Sequence, residues 1–143
     1  MSNYLTGCKS MCAKHALKIT SPANETSHTA NNPRKYAVRQ YNIDDVLKHN
    51  DSKCDYLVIN DDRKRAYFIE LKTESDLEGA PGQIETTRRL LKDEASIPQY
   101  SHRLRILAKL DRIPKIKPSF FRNWEDDHDN AFYAMTGTHT ENV

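Results

Sequence analysis

The feature that most constrains the fold is a pair of apolar runs set either side of a charged break. The runs are Cys54-Asp55-Tyr56-Leu57-Val58-Ile59-Asn60 and Ala66-Tyr67-Phe68-Ile69-Glu70-Leu71-Lys72, and the break is Asp61-Asp62-Arg63-Lys64-Arg65. Short runs rich in β-branched and aromatic residues around a polar break predict a β-hairpin. Folded about the Asp62–Arg63 midpoint, the hairpin sets Asp55 opposite Glu70. Cross-strand β-carbons lie about 4.5–5.5 Å apart, so two carboxylates placed this way make one hard-cation site. Side chains alternate along a strand, so Lys72 shares the face of Glu70. An acid pair with an ammonium beside it can hold Mg²⁺ and orient a water for hydrolysis. An odd-numbered turn would shift the pairing by one residue and remove the opposition. The bland alternative is that these charges simply face solvent on an edge strand.

The rest of the chain predicts an α/β protein. Residues 3–19 approximate helical spacing through Leu5, Cys8, Cys12, His15, Ala16 and Ile19. Ser21–Pro33 is rich in Ser, Thr, Asn and Pro and reads as a loop. Lys35–Tyr41 reads as a strand, and residues 42–47 as a short helical turn with Asn42 as its N-cap. After the hairpin, Gly79-Ala80-Pro81-Gly82 reads as a break, and Gln83–Ala95 as a helix with an apolar stripe of Ile84, Thr87, Leu90, Leu91 and Ala95. Ile97-Pro98 ends that helix. His102–Leu110 alternates as a strand, and a right-handed crossover would set it parallel to a hairpin strand. Residues 114–143 read as a C-terminal extension, with Phe120, Phe121 and Trp124 buried and Ala131–Met135 as an added edge strand. The expected architecture is one domain over residues 1–143: a small mixed β-sheet flanked by helices, in the order helix, strand, hairpin, helix, strand.

Composition narrows the function classes. The chain has 143 residues, 37% hydrophobic and 29% charged, with a net charge of +2. It is long enough for a core, and its charge does not by itself announce nucleic acid, so any such surface needs local clustering. No apolar run is long enough to span a bilayer. Leu5-Thr6-Gly7-Cys8 resembles a lipoprotein cleavage box only superficially, because no apolar segment precedes it. A cytoplasmic protein without membrane contact is the expectation. Three cysteines, Cys8, Cys12 and Cys54, suit buried thiols better than a disulfide framework or a zinc site with His15. Asp126, Asp127, His128 and Asp129 read as a solvated acidic turn. Tyr36 and Tyr41, beside Arg34, Lys35 and Arg39, read as strand packing or as a stacking surface. The richest basic supply is Arg88, Arg89, Lys92, Arg103 and Arg105, followed by Lys109, Lys115 and Lys117.

At Asp55 and Glu70-Leu71-Lys72 the chain resembles the PD-(D/E)XK nuclease superfamily. The proline usual before the Asp is Cys54 here, a departure many members share. Some branches add a Gln on the next helix, and Gln83 stands in that place. Others supply an acid from the first helix; residues 1–24 contain no Asp or Glu, so that feature is absent or displaced to Glu25. The resemblance covers residues 34–110 as an order of elements, with few residues carrying it. It implies a restriction-endonuclease-like core and a Mg²⁺- or Mn²⁺-dependent nuclease. Asp55, Glu70 and the Leu71 carbonyl would hold the cation, Lys72 would orient the attacking water, and Gln83 would be a supporting group. It further implies that Arg88, Arg89, Lys92, Arg103 and Arg105 contact nucleic acid, DNA being favoured over RNA. The competing expectation is a silent or partner-dependent relative that binds nucleic acid, a protein or a second copy of itself.

Overall fold

Ala66–Leu71 are buried without exception, so the strand that holds them must lie inside a sheet covered on both faces. The computed structural model describes residues 16–23, 25–46, 53–73, 77–92 and 97–143. Among these the elements are β1 (Lys18–Ala23), β2 (Thr26–Asn31), β3 (Val38–Asn42), α1 (Ile43–Val46), β4 (Tyr56–Asn60), β5 (Arg65–Lys72), α2 (Ala80–Leu90), β6 (Ser101–Ala108), α3 (Ser119–Asp127), β7 (Ala131–Ala134) and β8 (Thr138–Asn142). Five strands form a mixed sheet in the order β3-β4-β5-β6-β7, with β5 at its centre. The β3/β4 and β4/β5 pairs are antiparallel, and β5/β6 and β6/β7 are parallel. The class is therefore α/β, as expected, and β7 is the added edge strand.

The two faces of this sheet have different covers. Leu57, Ile59, Ala66, Phe68, Leu104 and Ile106 pack with Ile84 of α2 and with Phe121 and Trp124 of α3. Tyr133 of β7 stacks on Phe121 with centroids 3.7 Å apart. Val58, Tyr67, Ile69, Leu71 and Leu107 point the other way, against Ile19, Ala30 and Val143. That second cover is a three-stranded sheet in the order β1-β2-β8.

The small sheet corrects two expectations. The segment read as a loop, Ser21–Pro33, contains most of a hairpin, in which Lys18 pairs with Asn31 through to Ala23 with Thr26. The predicted helix over 3–19 does not reach its end, since Lys18 and Ile19 are already in β1; residues 3–15, with Cys8, Cys12 and His15, lie outside the described residues. Flanking by helices thus holds for one face, and a sheet covers the other. The composition misled because the inward positions are polar. Ser21, Thr26 and His28 are buried beside Ile19 and Ala30, and Gln40 Nε2 donates to Ser21 Oγ at 2.8 Å and to the Thr20 carbonyl at 2.9 Å. Buried polar groups of this kind are tolerated when they are paired.

Other boundaries moved for local reasons. Helix α2 begins at Ala80, because Pro81 sits in its first turn, where a missing N–H costs nothing. The predicted break is the helix start. Asn42 Oδ1 accepts the Asp44 N–H at 3.2 Å, the cap expected of it. Helix α3 follows Pro118 unpredicted and takes in Asp126 and Asp127, which were expected in a turn, while Phe121 and Trp124 are buried as expected.

A charged cluster joins the two sheets. Glu141 of β8 takes Arg105 of β6 in two bonds, from Nε at 2.7 Å and Nη2 at 2.9 Å. His28 Nε2 lies 2.7 Å and His139 Nε2 3.4 Å from Glu141 Oε2. Burial opposes ionisation of Glu141, but hydrogen bonds from His139, His28 and Arg105 and the Arg105 charge hold its carboxyl far below the usual carboxylate range. A depressed folded value stabilises the fold above the unfolded carboxyl range and is lost as pH falls below it. Glu141→Gln should lower stability at neutral pH by about 3–5 kcal/mol, the usual cost of breaking a buried ion pair. It should also flatten acid unfolding below about pH 4.5. Urea denaturation against pH tests both; a variant that keeps the wild-type acid limb would remove Glu141 from this role.

Candidate active site

The local chemistry of the β4–β5 turn sets the register. Asn60 Oδ1 accepts the Arg63 N–H at 3.0 Å, an Asx-type turn. Lys64 takes a left-handed φ of 55°. The ladder then pairs Asn60 with Arg65 through to Tyr56 with Ile69. The next step in that register sets Asp55 against Glu70. Asp55 lies just ahead of β4, and there the backbone ladder is offset: its N–H donates to the Ile69 carbonyl at 3.0 Å. Its side chain closes the end, since Oδ2 accepts the Leu71 N–H at 2.8 Å.

Glu70 continues the face of Ala66 and Phe68, toward the helices, and is only 1% exposed. Asp55 is its nearest acidic neighbour, close enough to act on its carboxyl. Burial first, then Asp55, push the Glu70 carboxyl up to about 10 against the opposing pull of Lys72 and the Leu71 N–H. Glu70 therefore holds the proton. Lys72 Nζ lies 3.7 Å from Glu70 Oε2. That oxygen is buried and has no hydrogen-bond partner among the described residues.

Helix α2 braces the strand that carries Asp55. Thr87 Oγ1 accepts the Cys54 N–H at 2.9 Å and donates to the Gln83 carbonyl at 2.9 Å. Gln83 Nε2 reaches the Lys53 carbonyl at 3.4 Å, and its Oε1 is buried without a partner among the described residues. Gln83 thus touches the chain two residues ahead of Asp55. Thr87 was missed as a positioning residue, because its place in the apolar stripe of the helix suggested packing alone. Cys54 is buried, and burial raises its thiol far above the ordinary range, so it stays neutral at this position.

The basic residues expected beside the acids are elsewhere. Arg103 and Arg105 pair in register with Tyr67 and Ile69, so they lie on the opposite face of the sheet from Glu70. Arg105 is buried and bound to Glu141. Arg88 and Arg89 sit further along α2 than Gln83, by about 8 Å at the helical rise, and Lys92 lies beyond the helix end. Arg88 is engaged with Glu85 and with His102 Nδ1 at 3.1 Å. Arg88 borders a cleft of about 480 Å³ that also includes Tyr100, His102 and His128. It lies at the His102 level of β6, about 13 Å along the strand from the Glu70 level. Its histidines are engaged: His102 Nε2 meets the Ile97 carbonyl at 2.7 Å, and His128 Nε2 meets Glu85 at 3.2 Å. The acid pair and this cleft therefore lie toward opposite ends of the strands.

The acid pair stands at the carboxyl ends of parallel strands β5 and β6, where open α/β sheets commonly bind ligands. No group of three or more His, Cys, Asp or Glu side chains arranged to hold a cation occurs among the described residues. No helix among them is long and apolar enough to cross a membrane. No protein-family profile, curated protein or solved structure matches the chain.

A carboxyl raised in the folded state favours folding below its unfolded value, and that contribution is lost as pH climbs toward about 10. Wild-type stability should therefore fall with rising pH across this window, by at most about 1.4 kcal/mol per pH unit for the one proton. Glu70→Gln should remove that slope and gain on wild type as pH increases. Thermal melts between about pH 5 and 9 measure it; parallel wild-type and variant curves would show that Glu70 is not proton-bound.

Proposed function

We propose that this chain is a small divalent-metal-dependent phosphodiester hydrolase of nucleic acid, DNA favoured, built on a restriction-endonuclease-like core. One observation carries the reading: a buried, unpartnered Glu70 oxygen beside Asp55 and 3.7 Å from Lys72. An all-oxygen donor set of this kind suits a hard cation such as Mg²⁺ or Mn²⁺. The Leu71 N–H already points at Asp55. A strand residue exchanges its N–H and C=O bonds toward the same neighbour, so the Leu71 carbonyl is directed to the same side and adds a third oxygen. Strand β3, the β4–β5 hairpin, crossover helix α2 and parallel β6 follow the element order of the superfamily that the Asp55 and Glu70-Leu71-Lys72 motif resembles.

A bound divalent cation supplies a water of lowered pKa and stabilises charge on the phosphoryl group. The chain's own residues do the rest. Glu70, whose carboxyl is held up by burial and by Asp55, must lose its proton for both carboxylates to act as ligands. Lys72 keeps an ammonium on the same face, where its N–H groups orient the attacking water and offset developing phosphate charge. Thr87 and Gln83 hold the Lys53–Cys54 backbone, and so fix where Asp55 points. Cys54 contributes bulk without charge.

A second reading is a silent or partner-dependent relative, in which the acid pair is structural. Asp55 capping the Leu71 N–H favours it, because that carboxylate satisfies part of its demand without a cation.

The two readings separate by experiment. Asp55→Asn, Glu70→Gln and Lys72→Ala should each abolish Mg²⁺- or Mn²⁺-dependent cleavage of labelled single-stranded, duplex or branched DNA and RNA while the fold survives. Loss of Lys72 alone should cost about 10²–10³-fold in rate, the range for one preorganised donor. Calorimetric Mn²⁺ titration of wild type and Glu70→Gln provides the second readout. Cleavage that survives all three substitutions would remove the site; absence of both Mn²⁺ binding and cleavage in wild type would leave the structural reading.

A further inference from the structure

The connection from β6 to α3, residues 109–118, runs past the same end and the same face as the acid pair. Strands β5 and β6 are parallel and in register, Lys72 beside Ala108, so both end at one edge of the sheet. The Lys109 N–H donates to the Lys72 carbonyl at 3.1 Å. From there the chain crosses to α3, whose Phe121 and Trp124 share the helix-side core with Phe68 and Ile106, the face that Glu70 continues.

This connection has an unusual surface. Every residue from 111 to 116 is exposed. Ile113 is 53% and Ile116 68% exposed, two of the three large exposed hydrophobics among the described residues. Arg112 and Lys115 alternate with them and have no ion-pair or hydrogen-bond partner among the described residues. The lysines that bracket the segment are committed, Lys109 to Glu25 at 3.3 Å and Lys117 to Glu125 at 3.1 Å. Uncommitted cations interleaved with bare aliphatic side chains serve no folding purpose in this connection. They match a polymer that offers anionic groups and apolar faces together.

We propose that residues 111–116 form the strand-gripping loop of this protein: Arg112 and Lys115 contact nucleic-acid phosphates, and Ile113 and Ile116 pack against bases. Aliphatic side chains engage bases by entering between them, which costs least where bases are unpaired or distorted. The loop therefore favours single-stranded or distorted nucleic acid over regular duplex. The inference rests on the phosphodiester reading only in taking the acid pair as the place where a phosphate arrives. It moves the contact surface away from Arg103 and Arg105, which face the other side of the sheet.

The test uses the full chain, without divalent cations, and a fluorescein-labelled single-stranded oligonucleotide with its duplex form, read by anisotropy over a salt series. Arg112→Ala combined with Lys115→Ala should weaken single-strand binding and make the log–log salt slope shallower by about 1.4, two contacts at about 0.7 each. Ile113→Ser combined with Ile116→Ser should weaken binding severalfold with the slope unchanged, and should reduce the preference for single strand over duplex. All four positions are exposed, so melting temperatures should match wild type. Wild type that binds no nucleic acid, or loop variants that bind as wild type does, would overturn the proposal. Failure of the hydrolase reading is separately visible: loop-dependent binding with no cleavage under Mg²⁺ or Mn²⁺ leaves the loop assignment standing, while cleavage indifferent to the loop variants overturns the loop alone.

Discussion

The register of the β4–β5 hairpin is the constraint on which the rest of the site depends, and a four-residue turn sets it. Asn60 folds its side chain onto the Arg63 N–H, Lys64 accepts a left-handed backbone, and the ladder from Asn60–Arg65 to Tyr56–Ile69 follows. Because side chains alternate, a slip of one residue would turn Glu70 to the small sheet and Ile69 to the helices. The apolar residues around them make that slip costly. Leu57, Ile59, Ala66 and Phe68 fill the helix-side core, and Val58, Tyr67 and Ile69 fill the other. Hydrophobic burial on two faces thus fixes where two acids stand.

That placement stores an electrostatic cost at one end of the sheet. A carboxyl beside a second carboxyl, away from water, keeps its proton, and Lys72 only partly relieves it. The surrounding chain is arranged to tolerate this. Asp55 binds the Leu71 N–H, Thr87 holds the Cys54 N–H, and Gln83 reaches Lys53. The backbone stays in place while the charge stays unresolved, which is the preorganisation a cation site requires.

The second face has the opposite character. Arg105 and Glu141 neutralise each other between the two sheets, with His28 and His139 filling the remaining contacts. This cluster binds β8, near the chain's end, to the central sheet and withdraws from the surface an arginine that composition would have offered to a phosphate. Arg112 and Lys115, by contrast, stand in the exposed connection after β6, where packing asks least.

The sequence by itself determined the hairpin, the partnership of Asp55 with Glu70 across it, the common face of Lys72, the crossover helix and the strand after it. These follow from local alternation and from a turn whose residues are contiguous, so a short window contains all the physics needed. Tertiary structure alone decided what covers the second face, because Ser21 and His28 are buried against distant partners, Gln40 and Glu141. It also decided which arginines are available. Arg103 and Arg105 are alike in the sequence, and their places depend on strand parity and, for Arg105, on Glu141 far along the chain, a distance at which no local pattern carries information.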